Sequence, residues 1–175
     1  MIFVETRLRG AYIIELEPHV DERGFFARTF CREEFIAHGL NPDFAQCDIS
    51  FNKKQGTLRG LHYQTEPFEE VKLVRCSRGA IYDVVIDLRP ESPTHRQWMS
   101  VELTQENHKA VYIPEGFAHG FQTLHDNSEV LYQMSEPYHP DHSHGIRWDD
   151  PALGITWPPA SQRIISAKDL AYPWL

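Results

Sequence analysis

Nowhere in this 175-residue chain does an apolar run approach the length that crosses a bilayer, and the opening Met1-Ile2-Phe3-Val4-Glu5-Thr6-Arg7 places an acid and a base where a signal peptide needs uninterrupted apolar residues. The protein is expected to stay in the compartment where it is made. Cysteine is scarce: Cys31, Cys47 and Cys76 are odd in number and too far apart for a zinc knuckle, which points to a reducing cytoplasm rather than a disulfide framework. Basic residues are outnumbered, with 17 Lys and Arg against 25 Asp and Glu and a net charge of -8, so the chain lacks the clustered cations that a nucleic-acid surface needs. Repeats, low-complexity tracts and linker-like stretches are also missing, which leaves residues 1–175 as a single domain.

Helical periodicity is nearly absent too. Only Arg32-Glu33-Glu34-Phe35-Ile36-Ala37-His38 reads as a helix, with acids in its first turn and Gly39 as its stop. Short segments rich in β-branched and aromatic residues fill the rest. Ala11–Leu16, Phe25–Phe30, Thr57–Tyr63, Val71–Cys76, Ala80–Leu88, Gln97–Leu103, Ala110–Ile113, His119–Leu124 and Glu129–Met134 are predicted strands. This many strands at short intervals predicts an all-β jelly roll or barrel closing over a cavity. Along Ala80–Leu88 the residues Tyr82, Val84, Ile86 and Leu88 alternate with a face carrying Asp83 and Asp87, whose expected role is structural pairing with an arginine such as Arg89.

Polar groups embedded among strand formers are costly unless paired or used. Three stretches have them: Arg59-Gly60-Leu61-His62-Tyr63-Gln64, Val71-Lys72-Leu73-Val74-Arg75, and Ile113 through Phe121 with His119 at its centre. Simple alternation places His62 with Gly60 and Gln64 on one face and Arg59 with Leu61 on the other. Lys72, His119 and Tyr132 can meet His62 in one cavity if the sheet rolls up, and Arg59, Lys72, Arg75 and Arg78 supply cations that an anionic ligand would need against the acidic background. Taken alone, each of these residues fits a packing role equally well.

The spacing Pro114-x-Gly116-x-x-His119 resembles the second metal motif of cupins. The first motif should read His-x-His followed by Glu; here His62-Tyr63-Gln64 stands instead, with Glu66 displaced, so no catalytic metal and no cofactor is expected. His139, His142 and His144 lie on a Pro- and Asp-marked turn and are expected to titrate in solvent.

In combination these motifs carry a resemblance. Asp21-Glu22-Arg23-Gly24-Phe25-Phe26, Leu58 through Gln64, Lys72-Leu73-Val74, Asp87-Leu88-Arg89, Ile113 through Phe121, Tyr132, Ile146 through Pro151 and Ser166-Ala167-Lys168-Asp169 are similar, in order, to the dTDP-4-dehydrorhamnose 3,5-epimerases. The resemblance implies a double-stranded β-helix, that is, a cupin-like jelly roll with one or two short helices. It also implies a homodimer with strand exchange, no metal, and C3 and/or C5 epimerisation of a nucleotide-diphosphate-linked 4-keto-6-deoxyhexose through an enolate. His62 would be the base, Asp169 its carboxylate partner, Tyr132 the proton donor and Lys72 the group facing the enolate. Arg23, Arg59, His119 and Lys168 would contact sugar and diphosphate, Gln46 and Asp48 the base, Tyr138 would stack on it, and Phe26 would line the pocket. The chain departs from the family pattern at Arg28, Asp48 and Ser143, where Glu, Asn and Glu are usual. All three lie on ligand-contacting segments, which implies retained chemistry with a changed substrate. Two other readings remain open on the residues: a metal-dependent cupin enzyme and a non-catalytic sugar-nucleotide-binding barrel.

Overall fold

The computed structural model describes residues 1–175. Thirteen strands and two short helices follow one another as β1 (Ile2–Glu5), β2 (Tyr12–Glu15), β3 (His19–Asp21), β4 (Gly24–Phe26), α1 (Arg32–Ala37), β5 (Gln46–Asn52), β6 (Leu58–Gln64), β7 (Lys72–Arg78), β8 (Ala80–Asp87), β9 (Trp98–Thr104), β10 (Ala110–Ile113), β11 (Phe117–Thr123), β12 (Ser128–Met134), β13 (Ser143–Gly145) and α2 (Ala167–Leu170). A six-stranded sheet in the order β1-β2-β10-β7-β12-β5 faces a five-stranded sheet in the order β13-β6-β11-β8-β9. The β3–β4 hairpin forms a separate two-stranded ribbon. No helix is long and apolar enough to cross a membrane.

Each sheet buries its inner face and much of its outer face, with the β5–β12 edge of the six-stranded sheet left exposed, which explains why so few strands show a clean polar side. Between the sheets, Val74, Cys76, Ile81, Val85, Leu103, Val111, Ile113, Phe117, Phe121 and Val130 form the central core. The outer face of the five-stranded sheet puts Leu58, Leu61, Val84, Ile86 and Ala118 against Ile146, Leu153 and Trp157 of the C-terminal segment. The outer face of the six-stranded sheet puts Ile14, Leu73, Ala110 and Tyr112 under Phe35 of α1. The apolar content of β8 is thus split between two cores, with Asp83 and Asp87 fully buried in the strand.

Several elements differ from the sequence expectation. The expected strand Phe25–Phe30 ends at Phe26, and β1, β3, β5, β13 and α2 were not foreseen. β5 has the reverse of the usual pattern: Asp48 and Ser50 point to the cavity while Ile49 and Phe51 stay exposed, so its apolar residues do not mark a core. α2 is a single turn, too short for periodicity to reveal; Ser166 caps it by accepting from the Asp169 amide at 3.0 Å.

Candidate active site

A cavity of about 700 Å³ opens between the sheets at the end where β5, β6, β7, β11 and β12 meet α2. Eleven of the expected residues line it: His62, Tyr132, Asp169, Lys72, Gln46, Asp48, Arg59, His119, Tyr138, Ser143 and Lys168. Arg23, Phe26 and Arg28 do not. Arg23 pairs with Asp21 at 2.5 Å in the β3–β4 turn, Phe26 is 78% exposed on the same ribbon, and Arg28 pairs with Glu34 at 2.7 Å.

The expected alternation in β6 is broken by a bulge. His119 pairs with His62 and Phe121 with Arg59, so two residues, Gly60 and Leu61, stand opposite Gly120 alone. The extra residue turns Arg59 to the same side as His62, while Leu58 and Leu61 go to the outer core. Glycine is required at the bulge, because a Cβ on Gly60 would sit 2.5 Å from the Gly120 Cα and its φ is +124°. Placing Arg59 with Leu61, opposite His62, was therefore wrong for a local reason: a strand with an inserted residue does not keep period two.

Three nitrogen–carboxylate pairs meet at the cavity. The His62 Nε2 lies 2.8 Å from the Asp169 Oδ1, and the second carboxylate oxygen accepts from the Gly60 amide at 3.3 Å. Because an ionised carboxylate only accepts, Nε2 carries the hydrogen and Nδ1 keeps the free lone pair. Burial alone would push the Asp169 carboxyl up; the hydrogen bond and charge of His62 and the amide bonds more than offset it and leave the group below its ordinary value. His119 Nε2 lies 2.7 Å from Asp83 Oδ2, and the other Asp83 oxygen is buried with no partner. Lys72 Nζ lies 2.6 Å from Glu70 Oε1, with both side chains about nine-tenths buried.

Tyr132 packs edge-on against His119, with ring centroids 5.9 Å apart. Burial and then the Asp83 charge raise its hydroxyl well above the ordinary phenol value, against an opposing pull from Arg59. The phenol is therefore fixed in its acid form. Arg59, which donates to Asn52 Oδ1 at 2.8 Å, and Lys168 are the cavity cations without a carboxylate of their own, so net positive potential collects around them. At the mouth, Gln46 donates to Asp48 at 2.7 Å, and the exposed Tyr138 lies beside them, its amide donating to Gln46 Oε1 at 3.4 Å.

Glu70 and Asp83 were missed as site residues. Asp87 does pair with Arg89 at 2.7 Å, as expected for a structural acid, but Asp83 on the same face serves His119. Both acids flank Val85, the register partner of His119 on β11, but Asp87 is taken by Arg89, Ser92 and Thr94 while Asp83 meets the imidazole. His139 stacks on Phe68, His142 meets the same ring edge-on and lies 3.2 Å from the Thr65 hydroxyl, and His144 faces Tyr63.

An imidazole backed by a carboxylate, a buried phenol and a buried ammonium thus surround one cavity. Residues 5–175 fit the model of the dTDP-4-dehydrorhamnose 3,5-epimerases. The chain belongs to that family. It is 48% identical over 169 residues to a dTDP-4-dehydrorhamnose 3,5-epimerase of Methanothermobacter thermautotrophicus, covering 95% of this chain and 90% of that protein. The crystal structure of the Bacillus anthracis epimerase with TDP and PPi bound superposes with a TM-score of 0.95 at 39% identity, covering 99% of each chain. The Legionella pneumophila enzyme in complex with dTDP-4-keto-L-rhamnose gives 0.93 at 37% identity, covering 99% of this chain and 92% of that one. The jelly roll expected from the sequence is the fold found.

Proposed function

We propose that this epimerase-family chain inverts C3, C5 or both in a nucleotide-diphosphate-linked 4-keto-6-deoxyhexose, with His62 as base and Tyr132 as acid. One observation carries the assignment: the His62–Asp169 dyad and the protonated Tyr132 line the same cavity as the Lys72 ammonium. A hydrogen on carbon beside a ketone is removable when the developing enolate is stabilised. The His62 Nδ1 takes that proton, the C–H electron pair moves onto the keto oxygen, and Lys72 faces the resulting negative charge. The Tyr132 phenol then returns a proton to the opposite face of the carbon, and the cycle closes as the His62 imidazolium releases its proton to solvent and the phenolate regains one. Loss of one such stabilising donor typically costs about 100- to 1000-fold in rate.

Arg59 and Lys168 fit the diphosphate, His119 the sugar, and Gln46, Asp48 and Tyr138 the nucleobase at the mouth, with Ser143 beside them. No step here calls for a cofactor. Arg23, Phe26 and Arg28 can reach a substrate only from a second copy, which supports a homodimer in which the exposed β3–β4 ribbon enters the partner's cavity. The exposed Val20, Phe25 and Phe26 on that ribbon, and Ile49, Phe51 and Leu131 on the outer face of β5 and β12, are the apolar surface such an association would cover.

The test is incubation of dTDP-, CDP- and GDP-linked 4-keto-6-deoxyhexoses in deuterium oxide, with NMR at C3 and C5. Deuterium should enter at the inverted carbon with the parent chain, and His62→Ala should abolish exchange. Exchange by His62→Ala at the parental rate would remove His62 from the role of base, and a stoichiometric transition metal required for activity would favour the metal-dependent reading.

A further inference from the structure

Tyr172 lies outside the cavity lining, and its ring meets the side of the His62 imidazole, with centroids 5.7 Å apart and planes at 68°. It comes from the segment that also supplies Asp169. We propose that Tyr172 is a positioning residue for the base, a wall that stops the imidazole from swinging about its hydrogen bond to Asp169; this rests on the reading of His62 as base.

The need for such a wall follows from how His62 is held. Its side chain is 41% exposed, and its only hydrogen bond runs from one ring nitrogen to one carboxylate oxygen. A single bond of that kind fixes a point but leaves the ring plane free to tilt. Proton abstraction depends on the direction of the Nδ1 lone pair, and misplacement by about 1 Å can cost about 100-fold in rate. Asp169 sets which nitrogen is free, and Tyr172 sets where it points.

The surroundings are built to admit this ring. Gly145 pairs with His62 across β13 and β6, and a Cβ at Gly145 would collide with the Tyr172 ring. The backbone of Gly145 is not in the left-handed region, so glycine answers there to space alone. The segment beyond is tied down from both sides: the Arg147 amide donates to the Pro173 carbonyl at 3.0 Å, and the Leu175 amide to Asp150 Oδ2 at 2.7 Å. The Arg147 guanidinium lies 5.9 Å from the Trp174 ring. The Tyr172 hydroxyl is buried, with the Lys168 ammonium as its polar neighbour 6.0 Å from the ring centroid, while the ring edge is what meets His62.

The experiment compares Tyr172→Phe, Tyr172→Ala, Tyr172→Leu and Gly145→Ala in the full chain, reading kcat, KM and carbon-bound hydrogen exchange in deuterium oxide, with His62→Ala in parallel. Tyr172→Ala should lower kcat by about 10- to 100-fold with KM within about threefold, Gly145→Ala should fall in the same direction, and Tyr172→Phe should restore parental kcat. Should Tyr172→Ala fail to fold, Tyr172→Leu, which keeps bulk without an aromatic edge, carries the comparison and is expected to lower kcat likewise. Parental kcat in the folded Ala or Leu variant overturns the proposal, as does an equal fall in Tyr172→Phe or a rise in KM alone. Loss of exchange in His62→Ala with parental kcat in Tyr172→Ala would overturn this inference only; exchange surviving in His62→Ala would overturn the assignment of the base.

Discussion

His62 and His119 are register partners across β6 and β11, and each leans on a carboxylate from a different element: His62 on Asp169 of α2, His119 on Asp83 of β8. The two imidazoles thus face one cavity with separate anchors, so one can lose its orientation while the other keeps it.

Replacing Asp83 by Asn tests that separation. The change removes the anchor of His119 and also the negative charge that helps hold the Tyr132 phenol up. Expected are a fall in kcat of about 10- to 100-fold and a Tyr132 pKa lower than in the parent, seen as a phenolate absorbance that develops at lower pH on alkaline titration. An unchanged phenol titration would mean that Asp83 does not act on Tyr132.

Tyr132→Phe should separate exchange from inversion. The base and its carboxylate remain, so deuterium still enters, while delivery to the opposite face falls by about 100-fold or more. Burial and the Asp83 charge raise the phenol above its ordinary value of 10.0, so the acid form persists as pH rises through that point. The parental inversion rate should therefore show no Tyr132-dependent fall below about pH 10, as a pH–rate profile would reveal.

Asp87 provides a stability prediction distinct from activity. Burial raises its pKa, but Arg89, Ser92, Thr94 and the Arg89 amide outweigh that and hold it at about 2 rather than 3.8. A depressed carboxyl adds stability that is complete above pH 3.8 and is lost as pH falls toward 2. The shift corresponds to about 2 kcal/mol. Asp87→Asn should lower Tm at pH 7 by about 4–8 °C and flatten the acid fall in Tm, measured by calorimetry across pH 2–7.

Phe51→Glu puts a charge in the centre of the apolar outer face of β5. The parent should sediment at twice its 20.4 kDa mass and the variant as a monomer. A parent that is monomeric at micromolar concentration would end the dimer proposal, and with it the assignment of Arg23 and Phe26 to a neighbouring cavity.

Much of this was legible because the chemistry-bearing residues sit in short contiguous motifs. Arg59 through Gln64, Lys72 and His119 announce themselves as polar groups inside apolar strands. What escaped notice depends on contacts across the sheet. Asp83 and Asp87 stand at equal register distance from His119, and only the folded loop after β8, whose Arg89, Ser92 and Thr94 close on Asp87, distinguishes the acid that meets the histidine. Glu70 sits in a connection between strands, where an acid ordinarily faces solvent, and becomes buried only because Lys72 folds beside it. β5 keeps strict alternation, but its polar side faces the cavity and its apolar Ile49 and Phe51 stay exposed, so it lacks the buried apolar face by which a strand is ordinarily told from a loop.

The single additional residue at Gly60 gives this protein an unusual relation to insertions and deletions. Substitutions along β6 change what a position carries, whereas loss of Gly60 would leave Arg59 and His62 two residues apart in plain alternation, still on one wall, and insertion of a further residue with the bulge kept would turn Arg59 to the other wall. Which wall the guanidinium occupies relative to the imidazole is thus decided by the count of residues between them rather than by their side chains.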